Sequence, residues 1–417
     1  MGKVAVVRPF MALRPLPELA ERVSSPPYDV LSREEAEKLA KDNPYSFLHV
    51  ERAEIDLEEN IDPYNEAVYQ KARENFMKMK EKKILIKDGK ECYYIYRERM
   101  GDRVQTGLVA LVSIDDYLNG VVKRHEHTLP EKEEDRVKHM DYCNAHTSPV
   151  FLAYKADERL KNLLKMWIER KTPVYDFTSE DGVSHSVWVI EDVEVMKEIT
   201  EIFKEIPALY IADGHHRAAA SVALGLRRRE SLKNYSGKEG FNYFLAVIIP
   251  HDELYIMPYN RVVRDLNGYS EEGFIQKVKE KFTLEEVGVT PFEPKEKHTF
   301  GMYLKGKWYK IKAKEGTFDS SDPIGCLDVS ILQDNLLKPI LGIENPRTDK
   351  RIEFVGGIRG TKELEEKVNK GMAVAFSLYP TSIEEIFAVA DFGGIMPPKS
   401  TWFEPKLRSG IFVHEID

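Results

Sequence analysis

The chain has 417 residues, 42% of them hydrophobic and 31% charged, and a net charge of −9. That length and balance suit two or three globular domains and exclude a disordered or fibrous protein. The acidic balance, with a pI near 5.8, counts against a dedicated nucleic-acid binder, whose domain carries a basic face.

In chain order, "VAVVRPFMALRP" reads as a short strand followed by a proline-punctuated loop. Its apolar part is too short for a secretory signal, and no later run approaches the roughly 18 apolar residues of a spanning helix, so a cytoplasmic protein without membrane contact is expected. Three scattered cysteines, Cys92, Cys143 and Cys326, argue against a disulfide framework. Four Gln against abundant Lys and Glu lean towards a thermophile. In "SSPPYDVLSREEAEKLAKDNP", Pro26 and Pro27 force an extended entry, and Ser32 with Glu35 makes a capping box that starts a helix ended by Asn43–Pro44. Residues 64–82 carry helical spacing. "ECYYIYRERMGDRVQTGLVALVSI" predicts a hairpin turning at Met100-Gly101-Asp102.

"RHEHTLPEKEEDRVKHMDYCNAHTSPVFLAYK" (124–155) predicts a loop, a charged helix from Pro130, and a buried strand. Residues 157–171 and 192–204 read as helices, with the strand "HSVWVIED" between them. "PALYIA" predicts a strand and "HHRAAASVALGLRRR" a helix directly behind it. "FNYFLAVIIP" and "LYIMPYNRVV" read as buried strands, and "HTFGMYLKGKWYKIKA" as a hairpin around Gly306. Residues 362–370 suit a helix, "MAVAFSLYP" a strand, and 382–390 either one. The tail "GGIMPPKSTWFEPKLRSGIFVHEID" has too many Pro and Gly for a regular element. No repeat, low-complexity segment or helix-turn-helix stands out. An α+β fold is expected, with a first domain over 1–250 and a C-terminal α+β domain over 251–417 whose tail packs back on the first.

The chemistry concentrates in "DGHHR", Asp213 to Arg217, between strand and helix. Asp213 is placed at or near the helix N-cap, and Gly214 removes a side chain where a ligand could meet the backbone. The free N–H groups and the positive end of the helix dipole point there. His215, His216 and Arg217 add donors, Arg217 as a bidentate clamp, so the layout is that of an anion-binding helix start. A capped helix whose histidines merely pack is the plainer alternative. In "RHEHT", an extended segment would put Arg124, Glu126 and Thr128 on one face. Glu126 would then serve as base or metal carboxylate and Arg124 and Thr128 as phosphate ligands. An exposed loop with an incidental ion pair competes with that. His125, His127, Cys143 and His146 give only a weak zinc pattern, without a second C-x-x-C or an H-E-x-x-H. Tyr28 and Asp29 of "PPYDV" suit turn chemistry or a pocket wall equally. Arg261 at a strand end would need an anion partner if buried. Lys399, Ser400 and Thr401 gather an ammonium and two hydroxyls behind Pro397–Pro398, while Trp402 and Phe403 anchor the tail and Lys399 or Lys406 points at phosphate.

"DGHHR" with its alanine helix resembles the nucleotide-phosphate motif of the ParB/sulfiredoxin-like superfamily, in the form seen in archaeal free serine kinases, which use ADP as phosphate donor. "SPPYDVLS", "RHEHT" with "EDR", "DGHHR", "PYNRVV" and "KSTWFEPKLRSG" span nearly the whole chain and resemble domain-of-unknown-function family 1015. The resemblance implies a ParB/sulfiredoxin-like core with a large insertion. It implies Asp213 as the acid that positions metal or hydroxyl, with His215 beside it as a catalytic candidate, and Gly214, His215, His216 and Arg217 as the phosphate cradle. Mg2+ with ATP or ADP would be the cofactors. The glutamate base of the serine kinases has no counterpart that can be aligned, because the insertion ahead of the motif is longer. The expected activity is a nucleotide-dependent phosphotransferase on a small hydroxyl compound, with a homodimer allowed. The rival is a ParB-like nucleotide switch acting on DNA or a protein partner.

Overall fold

The computed structural model describes residues 4–232 and 234–416. It is an α+β protein of two units, Met1–Leu254 with Pro405–Asp417, and Tyr255–Glu404. The chain leaves the first unit slightly later than residue 250 and returns at Pro405, so the last stretch is part of the first unit.

Unit 1 is built on a mixed sheet of nine strands: β1 (Val7–Arg8), β2 (Tyr93–Met100), β3 (Arg103–Ser113), β4 (Val122–Lys123), β5 (Val150–Tyr154), β6 (Tyr175–Thr178), β7 (Ser184–Ile190), β8 (Leu209–Asp213) and β9 (Tyr243–Pro250). Their order is β4–β8–β5–β9–β3–β2–β7–β6, with β1 on β3. The β2–β3 hairpin turns at Gly101, whose φ of +59° suits glycine. Strand β9 is buried along its whole length, antiparallel to β3 and parallel to β5; its unbroken apolar sequence follows from having both faces covered. Strand β8 runs parallel to β4 and antiparallel to β5, with a register shift between Ile211 and Asp213. Such an irregularity re-aims the side chains at a strand end.

Three long helices matter here: α1 (Glu66–Glu81), α2 (Pro130–Cys143) and α3 (His215–Ser231). Proline opens α2, where its missing N–H costs nothing. The alanines of α3 allow two opposite faces to be buried. Ala218 and Val222 meet the sheet core with Ile211 and Phe244, while Ala220 and Leu224 meet Val137 and Met140 of α2. The packing is tight enough that a Cβ on Gly225 would lie 2.5 Å from the Phe241 carbonyl oxygen. At the far end, the "RRR" run is neutralised residue by residue: Arg227 binds Glu134, Arg228 binds Asp141, and Arg229 binds Asp115.

Unit 2 carries a six-stranded antiparallel sheet of β10 (Tyr259–Val263), β11 (Phe282–Gly288), β12 (Thr299–Leu304), β13 (Lys307–Ala313), β14 (Ile352–Gly356) and β15 (Val374–Leu378), in the order β11–β13–β12–β15–β10–β14. Its core includes Val262, Trp308, Val355 and Leu364. Residues 382–390, open between helix and strand, form the helix Ile383–Asp391, started by the capping box of Ser382 and Glu385. The expectation of an irregular tail fails in two places: Trp402–Glu404 pairs with Tyr255–Met257, and His414–Glu415 pairs with Ala145–His146. Short edge pairing with a distant segment tolerates the Pro and Gly on either side. Among the described residues, no helix is long and apolar enough to cross a membrane.

Candidate functional site

Strand β8 delivers Asp213, and α3 starts two residues later. Gly214, not Asp213, is the N-cap; it has φ +91° and gives the helix no side-chain cap. In the left-handed conformation the chain turns from sheet to helix in one residue, which leaves the Asp213 carboxylate on the strand end, next to the cap. That carboxylate faces two cations, with Oδ2 lying 3.5 Å from Lys406 Nζ and 3.7 Å from Arg217 Nη2. Burial alone would raise the Asp213 carboxyl, but Lys406 and Arg217 outweigh it and hold the group well below the usual carboxylate range.

Arg217 is 6% exposed. Its Nη1 donates to the Pro149 carbonyl, and its guanidinium lies over Gly214, where an added Cβ would meet Nε at 2.9 Å. Burial alone would lower the pKa of the guanidinium, but Asp29 and Asp213 outweigh it and raise it. The Nε itself has no hydrogen-bond partner. Gly214→Ala is therefore expected to lose stability by about 1–3 kcal/mol through positive-φ strain, and to displace the guanidinium as well. A urea midpoint equal to wild type would contradict the close approach.

His215 opens α3, 4% exposed, and its ring meets that of His125, 2% exposed, edge to face at a centroid distance of 4.5 Å. Burial pushes each imidazole down to about 3, so both are neutral near pH 7. His215 Nε2 and His125 Nδ1 lack hydrogen-bond partners. Glu126 Oε2 stands 3.6 Å from His215 Nδ1, too far for a hydrogen bond but facing the ring. Three unpartnered buried nitrogens, on His125, His215 and Arg217, thus belong to the segments that meet at the first turn of α3. Buried polar groups are rarely left so, which makes this cluster the candidate site.

Strand β4 ends at Lys123, and in the loop beyond it His125 is the buried residue. Arg124 is exposed and stacks on the Tyr117 ring at 4.9 Å, while Thr128 Oγ1 donates to Glu133 Oε2 at 2.9 Å. His216 Nε2 accepts the Leu129 N–H at 3.1 Å, tying this loop to α3.

The "PPYDV" loop joins the same region. The Arg136 guanidinium lies 4.0 Å from the Tyr28 ring centroid, and Arg136 also binds Asp135 at 2.8 Å and Glu51 at 3.5 Å. Glu51 in turn accepts from Ser148 Oγ, which meets Ser409 Oγ. Glu51 and the burial of His125 escaped the sequence reading. "EDR" was visible as a motif, but nothing local marks a glutamate in the four-residue helix Leu48–Glu51.

Arg261, Lys399, Ser400 and Thr401 belong to unit 2. Arg261 is buried, donates to the Tyr259 and Pro398 carbonyls, and lies 4.9 Å from the Phe354 ring centroid; burial pushes its pKa down to about 9. Lys399 has φ +56° with its ammonium 5.4 Å from the Tyr259 ring centroid, and Ser400 Oγ donates to the Pro397 carbonyl at 2.6 Å. Among the described residues, no three His, Cys, Asp or Glu side chains gather as a metal-binding set.

A family model described as a protein of unknown function, DUF1015, matches residues 7–330. No curated protein matches the chain. Among solved structures, a free serine kinase mutant in complex with ADP is 16% identical, covering 71% of this chain and 87% of that one with a TM-score of 0.34. C-terminally truncated SbnI from Staphylococcus aureus is 13% identical over 71% of this chain and 82% of its own, at 0.35. A conserved hypothetical protein from Pyrococcus furiosus is 15% identical over 73% and 95%, at 0.35.

Proposed function

The chain belongs to the DUF1015 family of proteins of unknown function, so the chemistry has to come from the site itself, and we propose that unit 1 binds a nucleotide by its phosphates at the start of α3 and transfers a phosphoryl group to a small hydroxyl compound. The observation that carries this is the buried, unpartnered Arg217 Nε lying against Gly214 at the N-terminus of a 17-residue helix. Free backbone N–H groups, the helix dipole and a guanidinium are the complement of a phosphate. Phosphoryl transfer asks the protein mainly for positioning and charge stabilisation, which such a cradle supplies.

The two carboxylates divide the remaining work. Asp213, held low by its cationic neighbours, is a weak base and serves to orient Lys406 and Arg217, or a magnesium ion brought in with the nucleotide. Glu126, 36% exposed beside His215, is the carboxylate left to take the proton of an acceptor hydroxyl. Neutral His215 and His125 can donate or accept hydrogen bonds without adding charge. The rival reading, a switch acting on DNA, finds little support. Its one basic run is paired with Glu134, Asp141 and Asp115.

Calorimetric titration of ATP, ADP and pyrophosphate, each with and without Mg2+, tests the phosphate site. Binding by at least one of them is expected, and no heat with any would overturn the proposal. Glu126→Gln should keep that binding and lower phosphoryl transfer to small hydroxyl compounds on the order of 10²–10⁴-fold. Unchanged turnover would remove Glu126 from the base role.

A further inference from the structure

Lys406 lies almost two hundred residues after Asp213 in sequence, yet its ammonium reaches the same carboxylate oxygen that Arg217 approaches. Both separations exceed the roughly 2.7–2.9 Å of a charge-assisted hydrogen bond, so Asp213 holds the two cations on one carboxylate by charge across these distances. The segment carrying Lys406 is held on both sides. Upstream, the Pro405 carbonyl accepts from Gln105 Nε2 at 3.2 Å, and Gln105 also donates to Glu98 Oε2 at 2.6 Å. From Glu98 the connection continues through Tyr96 OH at 3.1 Å, His185 Nδ1 at 2.8 Å, and His185 Nε2 to Ser179 Oγ at 2.9 Å. It closes through Asp181, which accepts from Ser179 at 2.6 Å and from Arg408 Nη2 at 2.8 Å. The hydrogen bonds thus run from the residue before Lys406 to the second residue after it.

The members are costly to bury. Glu98, Tyr96 and Gln105 are 1%, 1% and 3% exposed, and His185 is fully enclosed. Burial pushes the His185 imidazole down to about 3, so near pH 7 the ring carries one N–H between its two hydroxyl partners, Tyr96 and Ser179. A second pairing fixes the far side: Ser409 and Ser25 exchange backbone hydrogen bonds at 2.9 and 3.1 Å. Gln105 Oε1 has no hydrogen-bond partner, but its amide nitrogen donates to both Glu98 and the Pro405 carbonyl, and the group these contacts bracket is one lysine at the phosphate cradle.

We propose that Lys406 is a phosphate ligand of the α3 site, brought there by the returning C-terminal segment, and that Gln105 and His185 are positioning residues for it. The proposal rests on the phosphate site described above and adds its second cation. The independent mark of a ligand at this helix start is the buried Arg217 Nε without a partner. With the anion bound, Lys406 and Arg217 turn from Asp213 to the phosphate oxygens from two sides.

The test titrates the full-length protein with pyrophosphate and ADP at low and high salt, comparing wild type with Lys406→Gln, Lys406→Arg and Gln105→Leu, with a thermal melt of each to confirm folding. Lys406→Gln should weaken binding on the order of 10- to 100-fold and flatten the salt dependence. Lys406→Arg should restore most of it, and Gln105→Leu should fall between wild type and Lys406→Gln while keeping the wild-type salt dependence. Wild-type binding that Lys406→Gln leaves intact would overturn the role of Lys406 alone. Absence of binding in the wild type would overturn the phosphate site and this proposal together. A Gln105→Leu protein that melts as wild type and binds as wild type would overturn the positioning role.

Discussion

Arg217→Ala is expected to abolish the binding of every phosphate-bearing ligand that the wild-type protein takes and to lower its stability by roughly 2–4 kcal/mol. Both effects come from one buried guanidinium. Its removal leaves the Pro149 carbonyl without the Nη1 donor and Asp213 with Lys406 as its facing cation. It also opens a void beside Gly214, whose backbone the guanidinium covers. Arg217→Lys separates the two consequences. A lysine keeps the charge but lacks the planar fork, so it should recover part of the stability and little of the affinity. Calorimetric titration with a chemical denaturation curve for each variant makes the comparison. An Arg217→Ala protein that binds nucleotide as wild type does would remove the guanidinium from the ligand site and leave it a purely structural role.

The second large effect is a pH dependence carried by the histidine pair. His125 has an ordinary pKa near 6.5 when unfolded, and burial pushes it down to about 3 in the fold. Below pH 6.5 the unfolded chain takes up a proton that the folded one refuses. The stabilisation from keeping this ring neutral is therefore complete above pH 6.5 and is lost as the pH falls towards 3. At pH 5 the loss is about 2 kcal/mol for one such ring. His215 behaves alike and lies edge to face against it. Other groups oppose this trend: burial raises Asp116 to about 6 and Asp328 to about 7, and both gain from acidification over the same range. The clean readout is thus a difference between proteins. Replacing His125 by phenylalanine should reduce the stability change between pH 7.5 and pH 5 by about 2 kcal/mol relative to wild type. Identical pH profiles of wild type and His125→Phe would mean that the ring titrates equally in both states, which burial of this depth does not allow.

Much of the local structure was legible because it depends on neighbours in sequence. The capping box at Ser32 and Glu35, the turn at Gly101 and the proline opening α2 each involve residues within a few positions, and each forms as the pattern indicates. The strand-to-helix junction at 209–217 was legible for the same reason, since a buried apolar run ending in Asp-Gly before an alanine helix has few other outcomes. The pattern left open whether Asp213 or its neighbour caps the helix, because Asp is a good N-cap, and in the fold Gly214 takes the position.

By itself, then, the sequence determined the mixed α+β character, the acidic composition, and the strand-to-helix junction that carries Asp213 to Arg217. These are sums over residues or short-range patterns, in which hydrogen bonds close within a turn or along one strand. Only the tertiary structure decided what surrounds that helix start. Lys406 reaches Asp213 because the tail returns to unit 1 and is held through Gln105 and Arg408; His125 meets His215 because β4 lies beside β8; Tyr28 lies under Arg136, whose carboxylate partner Glu51 comes from the short helix Leu48–Glu51. Each contact joins residues far apart in sequence, and its occurrence depends on strand order, register and buried polar pairing that no local pattern encodes.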